Sequence, residues 1–229
     1  MPSARKRCRG SRLATAVQDA NPPPRPTGFE NESKTLAVAT GQKITINCGM
    51  ASSPENKIAV ARELCERGSW PDVLTFAQQW EAEIPDAAKA FFYQGVALAA
   101  LGRFVEAETA YYRALAMDEN DFKTWNNLAG LLFDALNQPA EGAKCLARAL
   151  QIEPDNKLGW ANLASMNGQL NRHAQALACA ERALTLDPEM VEAQLHRARA
   201  AQALKKPEIL RAASEALAQL PPEKFQRAR

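Results

Sequence analysis

One pattern of apolar and small residues recurs along this chain about every 34 residues, and this period constrains the fold more than any other feature. The clearest copy begins at Lys157 and carries Trp160, Leu163, Ala164 and, further on, Ala180. Corresponding residues stand at similar offsets in the two preceding copies: Trp125, Leu128 and Ala129; Phe91, Gly95 and Tyr111. A fixed period of this length is typical of stacked units, which favours a binding scaffold over an enzyme.

Within each copy, the spacing predicts two helices joined by a short break. The marked residues lie three or four apart, so each set falls on one face of a helix. Gly102 and Asn171 stand in two of the breaks and are expected to adopt the left-handed conformation that ends a helix. The second copy fits the pattern only with one extra residue near 137–139. The aromatic residues of the pattern are expected to fill the core between stacked hairpins.

These residues resemble the tetratricopeptide repeat, whose pattern is W-x2-L-G-x2-Y…A-x3-F…P. The resemblance implies an all-α, right-handed superhelical solenoid of helix-turn-helix repeats. It extends over residues 54–224, and the first and last of its five copies are degenerate. The predicted copies are 54–87, 88–121, 122–156, 157–190 and 191–224.

Residues 1–49 differ from the repeats in charge and composition. They contain eight basic and three acidic residues, whereas residues 50–229 contain 20 basic and 23 acidic ones. Their proline run and scarcity of large apolar residues predict a disordered extension, with a weak hairpin-like alternation at 35–47. The basic cluster 5–9 is open to several interpretations: a nuclear address, a nucleic-acid contact, part of a transit peptide or a solvated tail. A further hypothesis is that Met50 is the native start and that residues 1–49 are non-native.

Composition and motifs exclude several function classes. The acidic balance of the repeats argues against nucleic-acid binding, and no apolar run is long enough for a membrane helix. The five cysteines show no C-x-x-C spacing, which predicts a reducing, cytoplasmic location and no zinc site. The two histidines, His173 and His196, fall on different repeats, and His173 is expected to be exposed. The chain is therefore predicted to be no enzyme and to use no cofactor or metal.

The resemblance also implies where a partner would bind. In this family, the first helices of successive repeats line a concave groove, and the groove positions can be carried over residue by residue. The predicted peptide-binding residues are Phe92, Tyr93, Asn126, Asn127, Phe133, Asn162, Ser165, His196 and Arg199.

Asn127 and Asn162 occupy the same position in adjacent repeats. An asparagine amide offers both donors and an acceptor, so such a pair is able to hold the main chain of an extended peptide. The arrangement resembles the asparagine ladder of the arrays that precede O-GlcNAc transferase catalytic domains. The alternative is that both amides are simply solvated. A carboxylate clamp of the kind that grips chaperone C-termini is not expected, because Phe92 and Gly130 replace residues that it requires.

The sequence therefore predicts a non-catalytic protein-interaction scaffold that binds an extended segment of another protein. Two alternatives remain open. The chain is a substrate-recruiting repeat region of a larger transferase, or it is a small secretion or assembly chaperone. No sequence feature decides the oligomeric state.

Overall fold

A computed structural model describes residues 33–37, 43–47, 53–85 and 87–226 of the chain. Strands β1 (Ser33–Ala37) and β2 (Lys43–Asn47) pair antiparallel, with Ser33 opposite Asn47 and Ala37 opposite Lys43. They overlap the stretch 35–47, where the alternation predicts a hairpin. The basic cluster 5–9 and the proline run lie outside the described residues. The predicted boundaries of the extension and of the five copies stay predictions.

From Pro54 onwards the described chain is a succession of helices, each of which packs against the next as far as α10. Helix α7 also packs against α9, so the first helices of neighbouring hairpins touch. The helices are α1 (Pro54–Glu66), α2 (Trp70–Glu83), α3 (Ala88–Ala100), α4 (Phe104–Met117), α5 (Phe122–Gly130), α6 (Pro139–Ile152), α7 (Lys157–Gln169), α8 (His173–Leu186), α9 (Val191–Ala203), α10 (Pro207–Gln219) and α11 (Pro222–Gln226).

The turns inside the hairpins adopt the left-handed conformation that the sequence predicts. The φ angles are +77° at Gly102 and +57° at Asn171, which confirms both expectations. Asn137 and Lys205 take the same conformation at the corresponding turns, with φ of +52° and +56°. In each case the second helix of the hairpin begins two residues after this position.

The second copy contains a π-helical turn, Leu131–Ala135, which continues α5. In the neighbouring hairpins, the N–H at the end of the first helix donates a hydrogen bond to the carbonyl four residues earlier. Leu101, for example, donates to Ala97 at 3.0 Å. In the second copy, the N–H of Leu136 reaches five residues back, to Leu131, at 3.1 Å. The extra residue therefore lies in this π-helical turn and not near 137–139, where the repeat pattern of the sequence predicts it. A wider helical loop absorbs one residue without breaking the backbone ladder.

The main apolar core extends through α3 to α8. Phe91 and Tyr111 are 1% and 2% exposed, as expected of aromatic residues that fill the space between hairpins. This core therefore fixes the positions of α3 and α5 relative to α4 and α6.

Trp125 and Trp160 have a second contact besides packing against this core. Each indole Nε1 donates a hydrogen bond to the carbonyl six residues earlier, to Glu119 and Pro154 respectively, and both bonds are 2.8 Å long. Gln194 stands at the same position of the next repeat and donates to the equivalent carbonyl at 3.3 Å. This position therefore ties the loop between repeats to the helix that follows it.

Candidate functional site

Five of the predicted binding residues line one cavity of about 460 Å³, which we call the central cavity. Most of its lining residues lie on α3, α5, the π-helical turn and α7, the first helices of three successive hairpins, while Tyr111 of α4 and Leu146 of α6 contribute from the second helices. The five residues are Asn126, Asn127, Phe133, Asn162 and Ser165. The structure therefore brings together the amide and aromatic side chains that the sequence places on separate repeats.

The π-helical turn shapes one wall of the central cavity, to which it contributes Phe133 and Asp134. Gly142 of α6 lies directly beneath it. A Cβ at Gly142 would lie 3.0 Å from the carbonyl oxygen of Ala129 and 3.5 Å from the Cβ of Phe133. The missing side chain thus lets the widened turn approach α6 closely.

The two asparagines of the central cavity have different surroundings. The Asn127 side chain lies close to the hydroxyl of Tyr111: burial raises the pKa of Tyr111, and hydrogen bonding to Asn127 opposes the rise. The Asn162 side chain is exposed, and no described residue hydrogen-bonds it. Since an amide has two donor hydrogens and an acceptor oxygen, Asn127 keeps hydrogen-bonding capacity for a ligand beside Tyr111.

Phe92 and Tyr93 lie outside the central cavity. Tyr93 is 8% exposed and stacks on Trp80 with ring centroids 6.4 Å apart. Its ring meets the edge of Phe92 at 5.1 Å. Burial raises the pKa of Tyr93, and a hydrogen bond from Arg62 of α1 opposes this effect. Tyr93 therefore belongs to the core at the N-terminal end of the array, and its predicted role in binding stays a prediction.

His196 and Arg199 line a second cavity, of about 230 Å³, together with Ser165 and His173; we call it the basic cavity. Ser165 lines both cavities, so the two adjoin. Burial lowers the pKa of His196, and the charge of Arg199 adds to this effect. His173 is not among the binding residues that the sequence predicts, because it begins α8 and reaches the cavity only through the packing of α7, α8 and α9.

Two stretches of the chain, residues 74–122 and 159–190, match models of the tetratricopeptide repeat. The chain is a tetratricopeptide repeat protein. Over 81 residues this tetratricopeptide repeat chain is 35% identical to Protein O-mannosyl-transferase TMTC3 from Homo sapiens. The matched stretch covers 35% of the chain and 9% of the length of that protein.

Solved structures of other tetratricopeptide repeat proteins have the same fold. MamA from Desulfovibrio magneticus RS-1 superposes with a TM-score of 0.64 at 17% identity, over 79% of this chain and 98% of that one. YrrB, described as a TPR protein with an unusual peptide-binding site, gives a TM-score of 0.65 at 16% identity, over 76% of this chain and 89% of its own. These likenesses confirm the all-α solenoid.

None of the helices in the described ranges combines the length and the apolar character that crossing a bilayer requires.

Proposed function

We propose that this tetratricopeptide repeat chain is a non-catalytic scaffold whose central cavity binds an extended segment of a partner protein. The observation that carries this proposal is the placement of Asn127 and Asn162 in one cavity, beside the ring of Phe133. Repeat solenoids bind partners on extended concave surfaces, and YrrB is described as having a peptide-binding site.

The chemistry of the central cavity suits a peptide. The amides of Asn127 and Asn162 pair with main-chain N–H and C=O groups, which every sequence presents. Phe133 and Val96 add apolar surface for one side chain of the segment. Tyr111 lies beside Asn127 and limits the space open to its side chain, so less conformational freedom is lost when the peptide binds.

The test selects random decapeptides on the immobilised full chain and measures their affinity by fluorescence anisotropy. The double variant Asn127→Ala/Asn162→Ala should bind the selected peptides roughly tenfold to a hundredfold more weakly, since each net hydrogen bond contributes about 0.5–1.5 kcal/mol. The control is Asn120→Ala, which removes an exposed amide from the loop before α5. Unchanged affinity in the double variant, with helical content intact, would contradict the proposal.

The second candidate function is recruitment of substrates to a transferase, and the observation that favours it is the 35% identity to Protein O-mannosyl-transferase TMTC3 over 81 residues. In that case the same cavity would bind a segment of the transferase substrate. An antibody against the repeats would then detect, in the source cells, a polypeptide much larger than 25.0 kDa. If the antibody detects only a protein of 25.0 kDa, the result favours the scaffold hypothesis.

A cytoplasmic location is part of the same proposal. Cys65, Cys145 and Cys179 carry free thiols, which suits a reducing compartment. Burial and the nearby acidic residues raise the pKa of Cys145 to about 11, so this thiol is protonated and unreactive at neutral pH.

A further inference from the structure

The chain contains two histidines, and both line the basic cavity. His173 is the first residue of α8, and His196 lies in the middle of α9, on the next repeat. Arg199 follows His196 by three residues and therefore lies on the same side of α9. Two repeats thus direct three basic side chains to one place.

Among the residues that the structure describes, those with titratable side chains in the basic cavity are all basic. Its titratable lining residues are His173, His196 and Arg199, while Ser165 and Gln169 add neutral hydrogen-bonding groups. Arg199 is exposed and forms no ion pair with any described residue. The guanidinium is near enough to His196 to disfavour its protonated form. An anion bound between the two side chains would relieve this repulsion.

We propose that the basic cavity binds a carboxylate of the partner segment that occupies the central cavity. This inference rests on the proposed function and adds the chemistry of one residue of the partner. Arg199 presents a planar fork of N–H donors that matches a carboxylate, and a protonated imidazole donates from both ring nitrogens. Since the two cavities share Ser165, one continuous peptide reaches both.

A nucleic-acid phosphate fits these observations less well than a carboxylate. Binding to a phosphate backbone requires an extended basic track, yet residues 50–229 contain more acidic than basic residues. Sites for phosphorylated side chains use clusters of arginine, whereas a single arginine, Arg199, stands among the described residues that line this cavity. A cavity of about 230 Å³ also suits a single acidic group better than a charged tail.

The charge of the cavity changes with pH. Burial lowers the pKa of His196, Arg199 lowers it further, and Glu192 on the preceding turn of α9 opposes both effects. At neutral pH His196 is therefore mostly uncharged, and a bound carboxylate favours its protonation. The affinity for an acidic peptide should rise as pH falls from about 7.5 to about 6, where carboxylates remain ionised.

The carboxylate has two sources, an aspartate or glutamate side chain or the C-terminus of the partner. Fluorescein-labelled random decapeptide pools separate them on the full chain. In amidated pools, each position is fixed in turn as aspartate or glutamate and compared with asparagine or glutamine. In a second set, the same random pool is compared with a free C-terminus and with an amide.

The expected result is a preference of about tenfold for one acidic set over its neutral counterpart, which corresponds to one charge-assisted hydrogen-bonding contact. Arg199→Gln should reduce this ratio to near one, and His196→Gln should remove its increase at low pH. Arg211→Gln is the matched control, because it removes the same charge from α10, where Arg211 pairs with Glu215. It should leave the ratio unchanged.

Nuclear magnetic resonance adds a direct readout, since the two histidines give two assignable sets of ring signals. An acidic pool member should raise the pKa of His196, and its neutral counterpart should not. Equal affinity for acidic and neutral pools, or a preference that survives in both Arg199→Gln and His196→Gln, would overturn the inference. Neutral pools whose binding still depends on Asn127 and Asn162 would then leave the proposed function standing. If no pool binds the wild-type chain, both proposals are wrong.

Discussion

The Cα of Gly95 in α3 faces the ring of Tyr111 in α4 so closely that a Cβ at residue 95 would lie 2.5 Å from Cε1 of Tyr111. Real Cβ atoms do not approach a ring carbon to this distance. The Tyr111 side chain is 2% exposed and lines the central cavity, so a Cβ at residue 95 would have to push the ring out of its packed position against α3. Gly95 therefore sets the spacing of α3 and α4 and, through Tyr111, the position of Asn127 in the central cavity.

Gly95→Ala is expected to lower the free energy of unfolding by about 1–2 kcal/mol, because overpacking a core outweighs the gain in helix propensity. Urea denaturation followed by circular dichroism measures this change. The second repeat places Ala129 and Leu146 at the equivalent positions, and both are buried. A chain that carries Tyr111→Leu should therefore tolerate alanine at position 95. The double variant Gly95→Ala/Tyr111→Leu should lose less free energy of unfolding than the two single variants together. Additive losses would contradict this account.

The sequence predicts the hairpins well, because their determinants are local. Apolar spacing defines the helices, and Gly102 and Asn171 mark the turns, where the structure shows positive φ. The roles of Trp125 and Trp160 are predicted only in part. Their spacing indicates packing, but their bonds to the carbonyls of Glu119 and Pro154 depend on how the chain leaves the previous repeat.

The site is less predictable than the fold, because it depends on the relative placement of neighbouring repeats. The spacing of the pattern reveals one inserted residue in the second repeat. It does not show whether a loop or a helix absorbs this residue. The convergence of His173 with His196 and Arg199 follows from the packing of three helices, which no local pattern encodes. Tyr93 shows the opposite case: it occupies a groove position in the repeat pattern, yet α1 and Trp80 bury it.

Deleting Asp134 from the π-helical turn should convert this repeat into a regular one. The bond from Leu136 to Leu131 would then span four residues, as the bond from Leu101 to Ala97 does. We expect the variant to fold with a free energy of unfolding within about 1 kcal/mol of wild type, since no apolar residue is lost. Because the deletion moves the wall that carries Phe133, binding of the selected decapeptides should fall at least tenfold, measured by anisotropy.

A deletion elsewhere provides the control. Removing Thr109, an exposed residue inside α4, rotates the rest of that helix by about 100° and turns Tyr111 away from the core, so most of the stability should be lost. If the Asp134 deletion destabilises the chain as severely as the Thr109 deletion, the π-helical turn is not the site of the extra residue. If it leaves peptide affinity unchanged, the turn does not shape the binding cavity.

His196 should also make the stability of the free chain depend on pH. Because burial lowers its pKa in the folded state, the unfolded chain binds the proton more readily. Well above pH 6.5, the ordinary pKa of histidine, the residue is neutral in both states and has no effect on stability. As pH falls below that value, protonation favours the unfolded chain, and stability decreases until the folded-state pKa is passed. His196→Gln should remove this part of the decrease, so the difference in free energy of unfolding between wild type and variant should be constant well above pH 6.5 and change as pH falls through that value. Urea denaturation at several pH values tests this, and the contributions of His173 and the carboxylates, which are present in both proteins, cancel in the difference.

A peptide whose carboxylate occupies the basic cavity should reverse the sign of this pH dependence, because it stabilises protonated His196 in the folded state. Parallel stability curves for wild type and His196→Gln would show that His196 is not desolvated as the structure places it.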